Sequence, residues 1–234
     1  MKKQELFDVI KGNVIVSCQA LPDEPLYVEE KSIMYLMARA AKQAGTPAIR
    51  TNSVRDVIAI KEETGLPVIG LIKANYDNSD VYITPTMKEV DQLVEANTDI
   101  VALDCTFSKR LNDTSINTFI REIKEKYPDI VLMADISTYE EGVNAYKCGV
   151  DLVGTTMNGY TKQSIDANIT NLELVSKLSK EISIPVIAEG RIHYPNQVRE
   201  ILDAGAFAVV VGGAITRPQE ITKRFIDAAK GELK

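Results

Sequence analysis

Short, almost wholly apolar runs alternate along this chain with longer stretches in which apolar residues return every three to four positions. After a leading helical segment at Lys2–Ile10, the apolar runs are Val14–Cys18, Ala48–Thr51, Pro67–Lys73, Ile100–Asp104, Ile130–Asp135, Leu152–Thr156, Pro185–Gly190 and Ala208–Gly213. Each is four to seven residues long and rich in Val and Ile. Runs that do not alternate with polar residues suit parallel strands covered on both faces. The spacing predicts helices between and after them, over 32–44, 53–64, 86–96, 112–127, 138–148, 168–182, 195–204 and 218–229.

Capping chemistry supports these boundaries. Thr86-Met-Lys-Glu89 and Thr138-Tyr-Glu-Glu141 fit the capping box, and Thr216-Arg-Pro-Gln219 puts Pro218 at a first helical position. Ala44-Gly45, Thr64-Gly65, Cys148-Gly149 and Ala204-Gly205 read as helix ends. The strand–helix alternation continues without a composition break, so residues 1–234 read as one domain. Eight βα units could form an open doubly wound sheet or a closed barrel. No Gly-x-Gly-x-x-Gly follows the first strand, where a dinucleotide fold would carry it. The expectation is a (β/α)8 TIM barrel with a short N-terminal helix, a fold that ordinarily takes about 250 residues; this chain has 234.

Composition narrows the function classes. The net charge of −6 argues against a polyanion, so no nucleic-acid partner is expected, while a few local Arg and Lys can still capture one phosphate. No apolar stretch approaches about 18 residues, so no membrane partner is expected. Glu5 and Asp8 interrupt anything resembling a secretory segment, and the chain reads as cytoplasmic. Cys18, Cys105 and Cys148 are odd in number, lack metal spacing, and read as small buried apolar residues. The sequence leaves the oligomeric state open and is compatible with a homo-oligomer.

In a barrel of this kind, function gathers where strands end. The runs end in Ser17-Cys18-Gln19, Arg50-Thr51-Asn52, Lys73, Asp104, Asp135, Thr155-Thr156, Glu189-Gly190-Arg191 and Gly212-Gly213. A polar group after every apolar interior converges on one mouth. Gly190, Gly212 and Gly213 either permit tight turns or bring backbone N–H groups close to an oxyanion, with Arg217 adding a charge-assisted bond. Lys73, closing an otherwise apolar strand, either forms a structural ion pair or acts in the mouth. There, desolvation and cations such as Arg50 would bring its amine toward the range of a general base. Glu189 either holds a neighbouring cation or is the matching carboxylate. A cation and a carboxylate flanking one carbon suit proton removal and return beside a carbonyl. His193 is the only histidine and reads as a loop residue. Asp104, Asp135 and Glu189 without imidazoles do not call for a metal.

The segments Ile15-Val-Ser-Cys-Gln-Ala-Leu21, Ala48-Ile-Arg-Thr-Asn52 and Val68-Ile-Gly-Leu-Ile-Lys73 resemble the N-acetylmannosamine-6-phosphate 2-epimerase family of bacteria. So do Val81-Tyr-Ile-Thr84, Leu103-Asp104, Met133-Ala-Asp135, Gly154-Thr-Thr156 with Gly159-Tyr-Thr161, Val186-Ile-Ala-Glu-Gly190 and Val211-Gly-Gly-Ala-Ile-Thr-Arg-Pro218. The similarity runs in order from about residue 12 to 226. The resemblance implies an isomerase without cofactor or metal that acts on a phosphorylated amino sugar in sialic acid degradation. It would interconvert N-acetylmannosamine 6-phosphate and N-acetylglucosamine 6-phosphate by moving the C2 proton through an enolate-like intermediate. Carried onto matching positions, it implies Lys73 and Glu189 as catalytic residues. Gln19, Arg50, Asp135, Thr155 and Tyr160 become substrate-binding candidates, with Arg50 near O1. Gly190, Arg191, Gly212, Gly213 and Arg217 become the phosphate site. The run Lys73-Ala-Asn-Tyr-Asp77 and the pair Met157-Asn158 depart from the family pattern, both just after strand ends. Two rivals remain: another sugar-phosphate epimerase barrel built around His and Asp metal ligands, and a barrel that binds a sugar phosphate without turnover.

Overall fold

The structure is a computed structural model and describes residues 2–30, 32–165 and 169–232. In chain order the elements are α1 (Lys3–Ile10), β1 (Val14–Cys18), α2 (Met34–Gln43), β2 (Ile49–Asn52), α3 (Val54–Thr64) and β3 (Val68–Leu71). Next come α4 (Met87–Glu95), β4 (Ile100–Asp104), α5 (Ile116–Lys126), β5 (Val131–Asp135), α6 (Tyr139–Lys147) and β6 (Leu152–Gly154). The chain continues with α7 (Leu172–Glu181), β7 (Val186–Glu189), α8 (Pro195–Asp203), β8 (Ala208–Val211), α9 (Gly213–Thr216) and α10 (Pro218–Lys230). The strands pair in sequence order, all parallel, and β8 closes on β1 through Val14↔Val209, Ile15↔Val210 and Val16↔Val211. The expected (β/α)8 barrel is the observed fold.

A period of two along each strand divides the core. Ile15, Ala48, Ile69, Leu71, Ile100, Ala102, Val131, Met133, Leu152, Ile187, Ala208 and Val210 pack inside the barrel, and Leu6, Phe7 and Ile10 of α1 close its floor. Their strand neighbours Val16, Cys18, Ile49, Val68, Val101, Leu103, Leu132, Ala134, Val153 and Val186 face the helix ring. Both faces are therefore apolar, which is why the strands read as continuous runs.

Several boundaries moved for identifiable reasons. The predicted strand at Pro67–Lys73 ends at Leu71 because Ile72 N–H turns to the Thr84 hydroxyl at 3.2 Å and Lys73 bridges Ile83 in antiparallel fashion. The helix expected at 112–127 starts at Ile116, since Ser115 Oγ accepts from Thr118 N–H at 3.1 Å. Residue 168, the expected start of the sixth helix in the ring, lies outside the described residues; α7 is capped by Asn171, whose Oδ1 accepts from Leu174 N–H at 2.9 Å. The capping box at Thr138–Glu141 forms in both directions, at 3.0 and 3.3 Å. The last helix begins at Pro218 as expected, with Arg217 as N-cap, and the Thr216 hydroxyl donates to Ser17 O at 2.8 Å. Cys18 and Cys105 are buried as expected, while Cys148 is half-buried.

Candidate active site

Extending the inward row of each strand by one step, past its apolar residues, gives Ser17, Arg50, Lys73, Asp104, Asp135, Thr156, Glu189 and Gly212. Ser17, Arg50, Asp104, Asp135 and Glu189 face the barrel interior, because side chains two apart on a strand point the same way; Lys73, Thr156 and Gly212 lie just past their strand ends. Above them opens a cavity of about 370 Å³, lined in part by Ser17, Gln19, Arg50, Lys73, Thr156, Tyr160, Glu189, Arg191, Gly212, Gly213 and Arg217. Lys73 lies just beyond β3 and Glu189 ends β7, four strands apart in an eight-strand ring. The amine and the carboxylate therefore reach the same cavity from opposite walls.

Ion pairing dominates the floor. Arg50, 1% exposed, donates from both terminal nitrogens to Asp135, at 3.1 and 2.6 Å, and its Nε lies 3.3 Å from Glu189 Oε1. This two-pronged bond fixes Asp135, which is fully buried and stands behind the cavity wall. Arg50 touches the cavity, but its guanidinium faces carboxylates. Glu189 is driven up to about 7 by burial; Arg50 pulls it down and Asp135 pushes it further up. Lys73 is held below the ordinary lysine range, first by burial and then by Arg50 and Arg217. The two groups are thus brought toward each other on the pH scale, as a pair exchanging protons near neutrality needs.

Of the two threonines after β6, Thr155 points outward. Its hydroxyl donates to Glu189 O at 2.9 Å and accepts from Glu189 N–H at 3.0 Å, pinning the end of β7. Thr156 is the one that lines the cavity, with Oγ1 2.6 Å from Asp135 Oδ1 and 3.0 Å from Glu189 Oε2. Gln19 presents a buried Oε1 that accepts no hydrogen bond among the described residues, while its Nε2 donates to Ser17 Oγ at 2.9 Å. A buried amide oxygen on a cavity wall can accept from a donor such as a sugar hydroxyl.

At the other end, Gly190 turns with φ 104°, a backbone open chiefly to glycine. Arg191 donates to Gly159 O at 2.8 Å and lies 4.9 Å from the ring centre of Tyr160, which is 58% exposed at the rim. Arg217 donates from Nε to Glu24 Oε1 at 2.6 Å and has Glu220 Oε1 at 3.6 Å. A Cβ at Gly213 would stand 2.2 Å from Glu220 Oε2, so a carboxylate occupies the ground above that glycine. The lining cations Arg50, Lys73, Arg191 and Arg217 outnumber the lining carboxylates Glu189 and Glu220, on a chain of net charge −6.

The sequence reading passed over Tyr82, Glu24 and Glu220, and set His193 aside as a loop residue. His193 is on a loop but also lines the cavity. Tyr82, pushed up to about 12 mainly by burial, keeps its proton and can donate. With Leu21 and Lys73 it also lines a neighbouring cavity of about 720 Å³. Asp104 does not line the first cavity; its Oδ1 accepts from the Thr106 hydroxyl at 2.6 Å, and burial pushes it up to about 6. Among the described residues, no cluster of three or more His, Cys, Asp or Glu side chains is arranged to hold a metal ion, and no helix is long and apolar enough to cross a membrane.

Comparison with known proteins adds the chemistry of relatives. A family model described as "Putative N-acetylmannosamine-6-phosphate epimerase" matches residues 34–231. A "Putative N-acetylmannosamine-6-phosphate 2-epimerase" of Clostridium perfringens is 53% identical over 225 residues, covering 96% of this chain and 100% of the relative. One from Caldanaerobacter subterraneus is 48% identical over 228 residues, covering 97% and 95%. The solved structure of the N-acetylmannosamine-6-phosphate 2-epimerase from Clostridium perfringens matches with a TM-score of 0.90 and 52% identity, over 95% of this chain and 96% of that one. Thiamine phosphate pyrophosphorylase from Pyrococcus furiosus, at TM-score 0.61 and 20% identity, shares the fold alone.

Proposed function

This chain belongs to the N-acetylmannosamine-6-phosphate epimerase family, and from that membership we propose that it interconverts N-acetylmannosamine 6-phosphate and N-acetylglucosamine 6-phosphate. The reaction class is that of an N-acylglucosamine-6-phosphate 2-epimerase, with residues 1–234 acting as one catalytic barrel. The observation that carries the reading is the approach of Lys73 and Glu189 to one cavity from opposite walls. A charged sugar phosphate does not cross membranes unaided, so the reading puts the reaction in the cytoplasm.

In the open-chain sugar the C1 aldehyde makes the C2 hydrogen acidic. The neutral Lys73 amine removes that hydrogen as a proton, and the electrons pass into an enolate-like C1–C2 system. Glu189 carries the balancing proton, either to the opposite face of C2 or to a sugar oxygen. The pair works with one proton between its two members. At low pH both are protonated and Lys73 accepts nothing; at high pH neither has a proton to give. The acidic limb of the kcat–pH profile therefore follows Glu189 and the alkaline limb follows Lys73.

Gln19 and Tyr160 are positioned to meet the sugar, while Asp135 and Thr155 act from behind the wall by holding Arg50 and the end of β7. Backbone groups of Gly190, Gly212 and Gly213, with Arg191 and Arg217, receive the phosphate. Binding at that remote end holds C2 against the acid–base pair.

Incubation with N-acetylmannosamine 6-phosphate, followed by NMR at C2, tests the reading. Appearance of the 2-epimer supports it. Tight binding without interconversion would favour a non-catalytic sugar-phosphate binder, and loss of turnover on chelation would favour a metal-dependent epimerase.

A further inference from the structure

We propose that Thr156 is a positioning residue of the acid–base pair: by giving its hydroxyl hydrogen to Asp135, it offers Glu189 only lone pairs and so favours the protonated carboxyl. This rests on the reading of Glu189 as the partner of Lys73. Thr156 Oγ1 touches two carboxyl groups, Asp135 Oδ1 at 2.6 Å and Glu189 Oε2 at 3.0 Å, but a hydroxyl has one hydrogen to donate. The shorter contact lies in the range of charge-assisted O–H···O⁻ bonds. Asp135 is also the group anchored as a carboxylate, by the two Arg50 bonds at 3.1 and 2.6 Å. The hydrogen therefore goes to Asp135. The 3.0 Å contact is then a hydrogen bond only when Glu189 supplies the hydrogen.

The backbone is shaped around this contact. A Cβ on Gly154 would lie 2.4 Å from Met133 Cε, 3.2 Å from Asp135 Oδ1 and 3.3 Å from Thr156 Oγ1. Glycine at the end of β6 leaves the space in which the two side chains meet. The remaining charged groups facing Glu189 are Arg50 from β2, Lys73 beyond β3 and Asp135 from β5. Arg50 favours the ionised form, as would a Thr156 hydroxyl that turned its hydrogen to Glu189; with that hydrogen held by Asp135, Thr156 is set against it. Burial already drives Glu189 up to about 7, so a modest bias moves its proton occupancy within the working range.

The test uses the full chain with Thr156→Val, which keeps the branched shape without the hydroxyl, Thr156→Ala as a second hydroxyl-free variant, and Thr156→Ser. For either hydroxyl-free variant, kcat falls about 10- to 100-fold with KM changed less than about threefold. The acidic limb of the kcat–pH profile moves to lower pH by roughly one unit, and Thr156→Ser restores both. A limb that stays put, or moves to higher pH, overturns the proposal, as does failure of the Ser variant to restore activity. Glu189→Gln separates the two readings. Full activity in Glu189→Gln defeats the acid–base assignment itself; loss there with wild-type behaviour in Thr156→Val defeats only the role of Thr156.

Discussion

Replacing Arg50 with Lys keeps a positive charge in the floor of the site while removing the shape that lets one side chain serve two carboxylates. Arg50 makes two hydrogen bonds to Asp135 and a 3.3 Å contact to Glu189, in surroundings where it is 1% exposed and Asp135 is fully buried. An ammonium is a point charge and can satisfy one of these partners, not both. Two charge-assisted interactions are lost at about 1.5 kcal/mol or more each, so the expected destabilisation is about 3 kcal/mol. The effect depends on pH with a definite sign. Glu189 already sits above the ordinary carboxylate range, at about 7, with Arg50 the strongest influence holding it down. A raised carboxyl favours folding at low pH and loses that contribution as pH rises through the folded-state value. Weakening the cation raises Glu189 further, so the variant should lose more stability relative to wild type at pH 9 than at pH 6. The acidic limb of its kcat–pH profile should move to higher pH by about one unit. Urea unfolding at the two pH values and a kcat–pH profile read both effects. Equal stability loss at the two pH values, with an unmoved limb, would show that Arg50 does not control the Glu189 proton.

Three further outcomes follow from other parts of the molecule. Glu220 lies against Arg217 and over Gly213, so under the proposed phosphate site it would compete with the incoming phosphate; Glu220→Gln should lower KM for the sugar phosphate and Ki for inorganic phosphate by about fivefold, roughly 1 kcal/mol, and unchanged constants in steady-state assays would refute the competition. Thr155→Val removes both bonds that pin the Glu189 backbone and should destabilise the chain by about 1–3 kcal/mol in urea titrations, while unaltered stability would show that the strand end is held by other means. Asp151, pushed up by burial but held below its ordinary range overall by Leu132 N–H, Lys124 and Lys3, should show its worth as Asp151→Asn. That loss is about 1–2 kcal/mol, discounted because both lysines reach solvent; it should be present above about pH 4 and fade as pH falls through the depressed value, and a pH-independent loss measured by chemical unfolding would contradict the ion pairing.

The barrel was legible because its strands are buried on both faces, which leaves eight apolar runs at a regular spacing, and because caps such as Thr86 and Thr138 sit where local chemistry needs them. Lys73 was recognisable as the polar end of an apolar run, yet its bridge to Ile83 depends on a loop that doubles back, which no periodicity records. The choice between Thr155 and Thr156 was within reach of the sequence: counting in twos from Leu152 points Gly154 and Thr156 inward and Thr155 outward. Glu24 was not within reach in the same way, since it meets Arg217 across 193 residues of chain. The buried Arg50–Asp135 pair was likewise hidden, because matching a cation on one strand with a carboxylate three strands away needs the closed ring.

Under the proposed function, Lys73 exchanges the C2 proton of a phosphorylated amino sugar in the barrel mouth. The direct measurement is deuterium at C2, followed by NMR, with N-acetylmannosamine 6-phosphate in D2O and either the wild-type chain or Lys73→Ala. Wild type should form the 2-epimer with deuterium at C2, and the variant should bind the sugar phosphate while leaving its C2 hydrogen untouched. Epimerisation by Lys73→Ala at the wild-type rate, with the same label at C2, would contradict it.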